Sequence, residues 1–229
     1  MAHRPLPRNE LLASLPAKAY QRAAAKLEPV SLAAGEVLCE ADALLRYVYF
    51  PNDALVSLVS DASSQVELGL IGREGMVGSA LAAGLQAMPL RAQVHAKGGA
   101  LRMPAAAFVR ELERNSALQR QASRYAVVSL ATAMQIAACN FSHHLEARIA
   151  RWLLMRRDRL STSTFVLTQD LLAQFLGTRR AAVNRAVNAM QRGRLVSYRR
   201  GMIRIVDVEA LRIVSCGCYE RIRRLAQAK

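Results

Sequence analysis

The clearest pattern of hydrophobic and polar positions lies in residues 168–206. Hydrophobic residues recur at helical spacing over residues 171–176, and Thr168 precedes them as a plausible N-cap. Gly177 follows, where a left-handed turn can end a helix. A second helix is predicted next, with Thr178 as its cap. Its apolar stripe consists of Val183, Ala186, Val187 and Met190. The pattern therefore predicts two helices joined by a tight turn.

A β-hairpin is predicted directly after the second helix. Beyond Gly193, the runs 195–199 and 202–206 have the composition of short strands, and Arg200–Gly201 lies between them as a turn. The hairpin carries Arg199, Arg200 and Arg204. Such a basic hairpin suits contact with a phosphate backbone, as the wing of a DNA-binding domain would make it.

The second predicted helix has a polar face opposite its apolar stripe. That face carries Arg180, Asn184, Asn188 and Gln191, with Arg185 beside it. Arginine recognises base edges in the major groove with forked donors and asparagine with one donor and one acceptor, while an apolar stripe anchors the helix to its domain. We therefore predict a winged helix-turn-helix that binds double-stranded DNA. A helical hairpin with a solvated basic face is the less specific alternative.

The N-terminal half is predicted to be rich in short strands. Five runs of β-branched, leucine and tyrosine residues are separated by turn-forming residues. These runs are 45–50, 54–59, 66–71, 92–95 and 100–103. Helices are predicted on either side, at 16–27 and 104–112. Several short strands at this spacing predict a β-barrel or a double-sheet roll.

A long helix is predicted next, from Asn115 as its cap to about residue 138. It carries an apolar seam of Val127, Leu130, Met134, Ala137 and Phe141. A seam at this spacing favours a dimerisation helix, and a helix packed on its own domain is the alternative. Residues 125–142 lack charge, but polar residues interrupt them, so a buried helix is expected rather than a membrane span.

These elements predict an α+β fold with three parts. Residues 1–114 form a β-roll resembling a sensor domain, residues 115–142 a dimerisation helix and hinge, and residues 143–229 a winged helix-turn-helix domain.

The net charge of +15 is concentrated in the last part of the chain. Residues 1–147 hold 14 basic and 12 acidic residues, whereas residues 148–229 hold 18 basic and 5 acidic residues. All but one of those 18 are arginine, which suits phosphate and guanine better than lysine does. This distribution favours a nucleic-acid partner. An anionic membrane surface would instead require a basic amphipathic helix, so no membrane partner is expected.

The sequence favours a binding protein over an enzyme. It contains no phosphate-binding loop, no HExxH and no GxSxG motif. No secretory signal is recognised, so a cytoplasmic location with reduced cysteines is expected. Two other functions stay open. One is an architectural DNA binder without a ligand, and the other is a DNA-processing accessory factor, which would need a carboxylate cluster.

The order of β-roll, long helix and winged helix-turn-helix resembles the Crp/Fnr family of bacterial transcription regulators. Three segments carry the resemblance most specifically: CNFSHHLEARIARWLLMRRDRL (139–160), LTQDLLAQFLGTRRAAVNRAVNAMQRGRLVSYRRGMIRIVD (167–207) and SCGCYERIR (215–223). The resemblance implies a homodimer, an N-terminal domain like those that bind cyclic nucleotides, and a C-terminal DNA-binding domain. It also implies RNA polymerase as a partner.

The resemblance assigns roles within the second helix of the predicted DNA-binding motif. Family members often carry an Arg–Glu pair followed, four residues after the Glu, by a second Arg. Arg180 and Arg185 match the two arginines, but Ala181 stands at the glutamate position, so direct reading of a cytosine amino group is lost. The residues predicted to contact DNA are Thr178, Arg179, Arg180, Asn184, Arg185, Asn188, Arg199 and Arg200.

The predicted effector pocket departs further from the family. Nucleotide-binding members carry Gly-Glu-Leu and Arg-Ser stretches, and the matching residues here are Gly78, Ser79, Arg91 and Ala92. Only Arg91 keeps a charge that could meet a phosphate, so cyclic AMP is not expected. Cys39 is the only cysteine before residue 139, so an iron–sulfur cluster in the sensor is not expected. A haem would have to depend on His95 or another isolated ligand. No cofactor is therefore predicted.

One group of cysteines and histidines has no assigned role. Cys139 precedes His143 and His144, and Cys216 and Cys218 lie near the C-terminus. They could form a metal site if the fold brought them together. Because the Cys-x-Cys spacing is tight for structural zinc, buried thiols and capping histidines are preferred and no metal is predicted. A redox-active thiol pair is a further alternative.

Overall fold

The structure is a computed structural model that describes residues 8–60 and 65–227. The chain divides into two compact units. The first unit comprises Met1–Leu58 with Leu70–Leu130, and the second comprises Val59–Gly69 with Ala131–Lys229.

The N-terminal strands form two sheets, as expected of a double-sheet roll. The strands are β1 (Glu28–Leu32), β2 (Val37–Cys39), β3 (Tyr47–Pro51), β4 (Leu55–Val59), β5 (Glu67–Ile71), β6 (Arg91–Ala96) and β7 (Gly98–Pro104). One sheet has the order β1-β7-β3 and the other β2-β6-β4-β5. The five predicted strands correspond to β3–β7 to within two residues at their ends. β1 and β2 were not predicted, because β1 is mostly exposed and β2 has only three residues.

Short helices complete the first unit: α1 (Glu10–Ala13), α2 (Ala17–Ala24), a 3-10 turn at Ser79–Ala83, and α3 (Ala105–Arg114). The two predicted helices correspond to α2 and α3, whereas α1 and the 3-10 turn were not predicted. Strand and helix side chains share one core, in which Phe50 and Phe108 are fully buried with their rings 6.2 Å apart.

The long helix α4 spans Ser116–Ser142 and is thus longer than predicted. Its predicted cap is confirmed, because the Asn115 side chain accepts a hydrogen bond from the Leu118 amide at 3.1 Å. The seam residues Val127, Leu130, Met134 and Phe141 are all exposed, as is Ala137. An apolar face is therefore available on this helix for the predicted dimer.

α4 is the one helix among the described residues that is long and apolar enough to cross a membrane by length and composition. Only 11% of the most apolar 18-residue stretch of this helix is buried. The expectation that this stretch is buried within the chain is therefore wrong. Its large apolar side chains are instead exposed along the seam.

The second unit contains the predicted helix, turn, helix and hairpin. Its elements are α5 (Leu145–Leu160), β8 (Thr164–Val166), α6 (Gln169–Phe175), α7 (Arg180–Arg192), β9 (Val196–Arg199), β10 (Met202–Ile205), α8 (Val208–Val214) and α9 (Cys218–Gln227). α5 is the central helix and contacts α7, α8 and α9. β8 was not predicted; it adds a third strand to the hairpin, in the order β8-β10-β9.

A buried ion pair joins Glu67 to Arg156 of α5 inside the second unit. The Nη2 atom of Arg156 donates to Oε2 of Glu67 at 2.7 Å, and both side chains are buried. The Arg156 guanidinium also lies over the Trp152 ring, 3.8 Å from its centroid. Burial lowers the pKa of Arg156 to about 10, with Glu67 acting in the opposite direction. Arg156 is therefore still charged at neutral pH.

Candidate nucleic-acid interface

The turn between α6 and α7 depends on Gly177. This glycine has a φ of +57°, a conformation that L side chains rarely adopt. Its amide donates to the Gln174 carbonyl at 3.0 Å, and the Thr178 amide donates to the Ala173 carbonyl at 2.9 Å. These bonds form the kind of glycine-dependent C-terminal turn that closes a helix and redirects the chain. The role predicted for Gly177 is confirmed.

The two predicted helix caps have different outcomes. Thr168 caps α6, since its side chain accepts a hydrogen bond from the Leu171 amide at 3.1 Å. The prediction for Thr178 is wrong: the N-cap of α7 is Arg179, whose side chain makes no cap hydrogen bond. The Thr178 amide closes the preceding turn, and α7 begins one residue later than the sequence suggests.

α7 has one buried apolar face and one exposed polar face, as predicted. The stripe of Val183, Ala186, Val187 and Met190 is buried. The remaining surface exposes the residues Arg180, Ala181, Asn184, Arg185 and Arg192. Two arginines of the predicted reading set thus stand on the exposed surface together with an asparagine, and Ala181 adds only a methyl group there.

Amide side chains form a row along the accessible surface of α7. Asn184 Nδ2 donates to Gln169 Oε1 at 2.9 Å, and Asn188 Nδ2 donates to Asn184 Oδ1 at 3.0 Å. Gln191 accepts a hydrogen bond from the Tyr198 amide in β9 at 2.7 Å. The row connects the start of α6, the accessible surface of α7 and the hairpin. Each amide keeps further donors or acceptors for an external partner.

Arg180 is held in an exposed ion pair. Its Nε atom lies 3.3 Å from Oδ1 of Asp170, and both side chains are mostly exposed. An exposed pair of this kind contributes about 0–1 kcal/mol to stability. The Arg180 guanidinium can therefore leave Asp170 for another acceptor at little cost. Asp170 lies in the first turn of α6, where a negative charge also suits the helix dipole, and its pairing with Arg180 has no local signal in the sequence.

The hairpin exposes three arginines, and two of them, Arg199 and Arg200, lie at its tip. β9 and β10 pair with each other, and Arg199 lies opposite Met202. Both turn residues have positive φ angles, 50° at Arg200 and 72° at Gly201, as a type I′ turn requires. Arg199, Arg200 and Arg204 are exposed, which suits contact with a polyanionic surface.

The predicted effector-pocket residues keep little nucleotide-binding chemistry. Gly78 has a φ of +89°, and Ser79 begins the 3-10 turn. Ala92 is fully buried in β6, where it adds no polar group. Arg91, the one residue expected to meet a phosphate, has its Nε 2.6 Å from Oε2 of Glu40.

The structure brings together cysteines and a histidine that the sequence left unassigned. The ligand atoms of Cys139, His143, Cys216 and Cys218 all lie within 4.8 Å of one another. Burial raises the pKa of the Cys139 thiol to about 12, although Arg151 acts to lower it. His144 occupies the N-cap of α5 but makes no side-chain cap hydrogen bond, so the expectation of capping histidines is wrong for it.

The C-terminal domain matches a known class of domain. Residues 147–213 match the family described as the Crp-like helix-turn-helix domain. No curated protein sequence matches the chain.

The fold of most of the chain is similar to several solved structures. A CRP-family transcriptional regulator from Thermus thermophilus has a TM-score of 0.67 and 17% identity, with 81% of this chain and 96% of that one covered. FixK2 from Bradyrhizobium japonicum has a TM-score of 0.66 and 14% identity, with coverages of 83% and 98%. The c-di-GMP-responsive regulator CLP of Xanthomonas campestris has a TM-score of 0.62 and 14% identity, with coverages of 84% and 100%.

These findings establish the fold and the kind of domain at its C-terminal end. Residues 147–213 match the Crp-like helix-turn-helix domain, and the chain has the fold seen in solved Crp/Fnr regulators. The resemblance and the α+β fold predicted from the sequence are confirmed at this level.

Proposed function

We propose that the protein is a sequence-specific, DNA-binding transcriptional regulator of the Crp/Fnr type, acting as a cytoplasmic homodimer with RNA polymerase as a partner. The observation that carries the proposal is the two-sided α7 in a Crp-like domain. Its apolar face is buried, while Arg180, Asn184 and Arg185 are exposed. A helix placed this way can lie in the major groove with forked donors toward base edges.

The positions of the arginines support different roles for α7 and the hairpin. In this proposal Arg180 and Arg185 read bases, because a guanidinium can donate to both O6 and N7 of guanine. Arg199 and Arg200 lie at the hairpin tip and hold phosphates of the flanking groove. Because Ala181 offers no carboxylate, the half-site differs from that of members with a glutamate there.

The proposed homodimer supplies a second reading helix. The exposed seam of Val127, Leu130, Met134 and Ala137 would be covered by the same seam of a second copy. A two-fold pair of winged helices would read two half-sites about one helical turn apart.

The sensor role is proposed without cyclic AMP as its effector. Arg91 is paired with Glu40, and Ser79 and Ala92 replace the polar groups that nucleotide-binding members use. We expect isothermal calorimetry of the full chain with cyclic AMP to detect no binding, which excludes a dissociation constant of roughly micromolar or tighter. Saturable binding at that affinity, lost in Arg91→Ala, would overturn this part of the proposal.

The proposed groove assignment is tested with two arginine substitutions. Arg180→Ala should weaken binding to a specific duplex by about 1–3 kcal/mol and change binding to a scrambled duplex little, because a base contact matters only at the right base. Arg200→Ala should weaken both by a similar factor and lower the salt slope by about one unit, because one fewer phosphate is neutralised. Binding is measured on both duplexes across a salt series.

A matched control uses an arginine outside the proposed interface. Arg110→Ala, an exposed arginine in α3, should change neither affinity nor salt slope. If Arg180→Ala weakens the specific and scrambled duplexes equally, α7 does not read bases and the groove assignment is wrong.

A further inference from the structure

Four potential metal ligands converge at the end of α4 and the start of α9. The Cys139 and Cys216 sulfurs are 3.3 Å apart, and the Cys218 sulfur lies 3.7 Å from Nδ1 of His143. All four ligand atoms lie within 4.8 Å of one another. The proposed DNA-binding function uses none of these residues.

Local structure explains how each pair is presented. Cys139 and His143 are four residues apart at the end of α4, so the turn of the helix brings them to one side. Cys216 and Cys218 flank Gly217 at the point where α9 begins, and a Cβ on that glycine would meet nothing within 4 Å. Cys139 and Cys216 are 77 residues apart in sequence, yet their sulfurs are in contact.

We propose that Cys139, His143, Cys216 and Cys218 bind one Zn²⁺ ion as a tetrahedral Cys₃His site. Three sulfur donors and one imidazole are a donor set that zinc prefers in structural sites. With zinc–sulfur bonds of about 2.3 Å, the sulfurs of a tetrahedral site lie about 3.8 Å apart. The Cys139 and Cys216 sulfurs are 3.3 Å apart, and no two of the four ligand atoms are more than 4.8 Å apart, so small side-chain movements complete the site.

Neighbouring side chains can support the bound ion. Nε2 of Gln135 lies 3.1 Å from the Cys218 sulfur, in position to donate to it. Three thiolates and one Zn²⁺ leave a net negative charge, and the buried Arg151 lies close enough to act on Cys139. Arg151 is itself fixed by Asn140, whose Oδ1 accepts from Nη2 at 3.1 Å. Such outer partners orient metal ligands and offset their charge.

A site with four protein ligands leaves no position open for a substrate. Its role is therefore structural rather than catalytic. The ion would link α9 to the end of α4. The chain between these two points, which includes the whole Crp-like domain, would then form a closed loop. Because such a site does not exist in the unfolded chain, zinc binding would stabilise the second unit.

The site is tested with Co²⁺ as a spectroscopic probe. Full-length protein with reduced thiols and no metal is titrated anaerobically with Co²⁺, and Zn²⁺ is then added. We expect one equivalent to give the visible absorption of tetrahedral cobalt and a thiolate charge-transfer band, both removed by Zn²⁺. Protein grown with zinc should carry about one Zn²⁺ per chain, and its removal should lower the thermal midpoint by several degrees.

Matched substitutions separate the proposed ligands from other residues of the same type. Cys216→Ser and His143→Ala should each remove or strongly weaken the cobalt spectrum, whereas Cys39→Ser and His144→Ala should leave it unchanged. The spectrum does not depend on whether any variant binds DNA.

Two results would overturn the proposal. One is the absence of bound zinc and of any tetrahedral cobalt spectrum in reduced, folded protein. The other is a Cys139–Cys216 disulfide in the isolated protein whose reduction yields no metal binding, which would make this pair a redox element instead.

Discussion

Replacing both Leu130 and Met134 with glutamate is expected to convert a dimer into monomers and to abolish operator binding. The two side chains are 63% and 65% exposed in a single chain, so the change should not disturb the fold of that chain. In the proposed dimer they would be buried against a second copy, where glutamates would be desolvated without partners. Sedimentation at micromolar concentration measures the mass, and binding to a specific duplex measures the consequence.

The control places glutamate at two other exposed leucines. Leu44 and Leu85 are 69% and 61% exposed and lie in the first unit outside α4. The variant with glutamate at both should stay dimeric. If the unmodified protein is itself a monomer at micromolar concentration, the dimer proposal fails, and with it the reading of paired half-sites.

Arg156→Met is expected to be strongly destabilising. The substitution removes the guanidinium that pairs with Glu67 at 2.7 Å and leaves a buried carboxylate without this cation. Breaking one side of a buried pair costs about 3–5 kcal/mol in the free energy of unfolding. Urea unfolding, compared between the variant and the unmodified protein, gives the difference.

Removing both charges should be much less costly than removing one. The double variant Glu67→Leu with Arg156→Met leaves neither charge of the buried pair, so most of the lost stability should return. The neighbouring Arg157 pairs with Asp158 at the partly exposed surface, and Arg157→Met should stay within about 0.5 kcal/mol of the unmodified protein. An Arg156→Met variant as stable as the unmodified protein would show that the buried pair carries no net stabilisation.

Local signals in the sequence were sufficient to predict the helix-turn-helix and the hairpin. Gly177 is required by a left-handed turn, and the stripe from Val183 to Met190 has helical spacing, so both can be read over a few residues. The two predicted helix caps show where prediction from local sequence fails. Thr168 caps its helix, but Thr178 does not, because the N-cap position of α7 falls one residue later, at Arg179.

Features that depend on tertiary contacts could not be predicted. β8 has three residues and is recognisable only from its pairing with β10. The Arg156–Glu67 pair joins residues 89 positions apart, and neither residue carries a local signal of burial. For the same reason, spacing alone argued against a metal at Cys216 and Cys218, whereas the fold supplies Cys139 and His143 to complete the set.

The proposal that this dimer reads DNA by sequence is tested most directly by selection from a pool of random duplexes. The full-length protein is incubated with the pool at physiological salt, and bound duplexes are recovered and sequenced over several rounds. We expect enrichment of an inverted repeat whose half-site centres lie about 10 base pairs apart, and loss of that enrichment in the variant Arg180→Ala with Arg185→Ala. Binding without any enriched sequence, or equal enrichment by the arginine variant, would contradict the account.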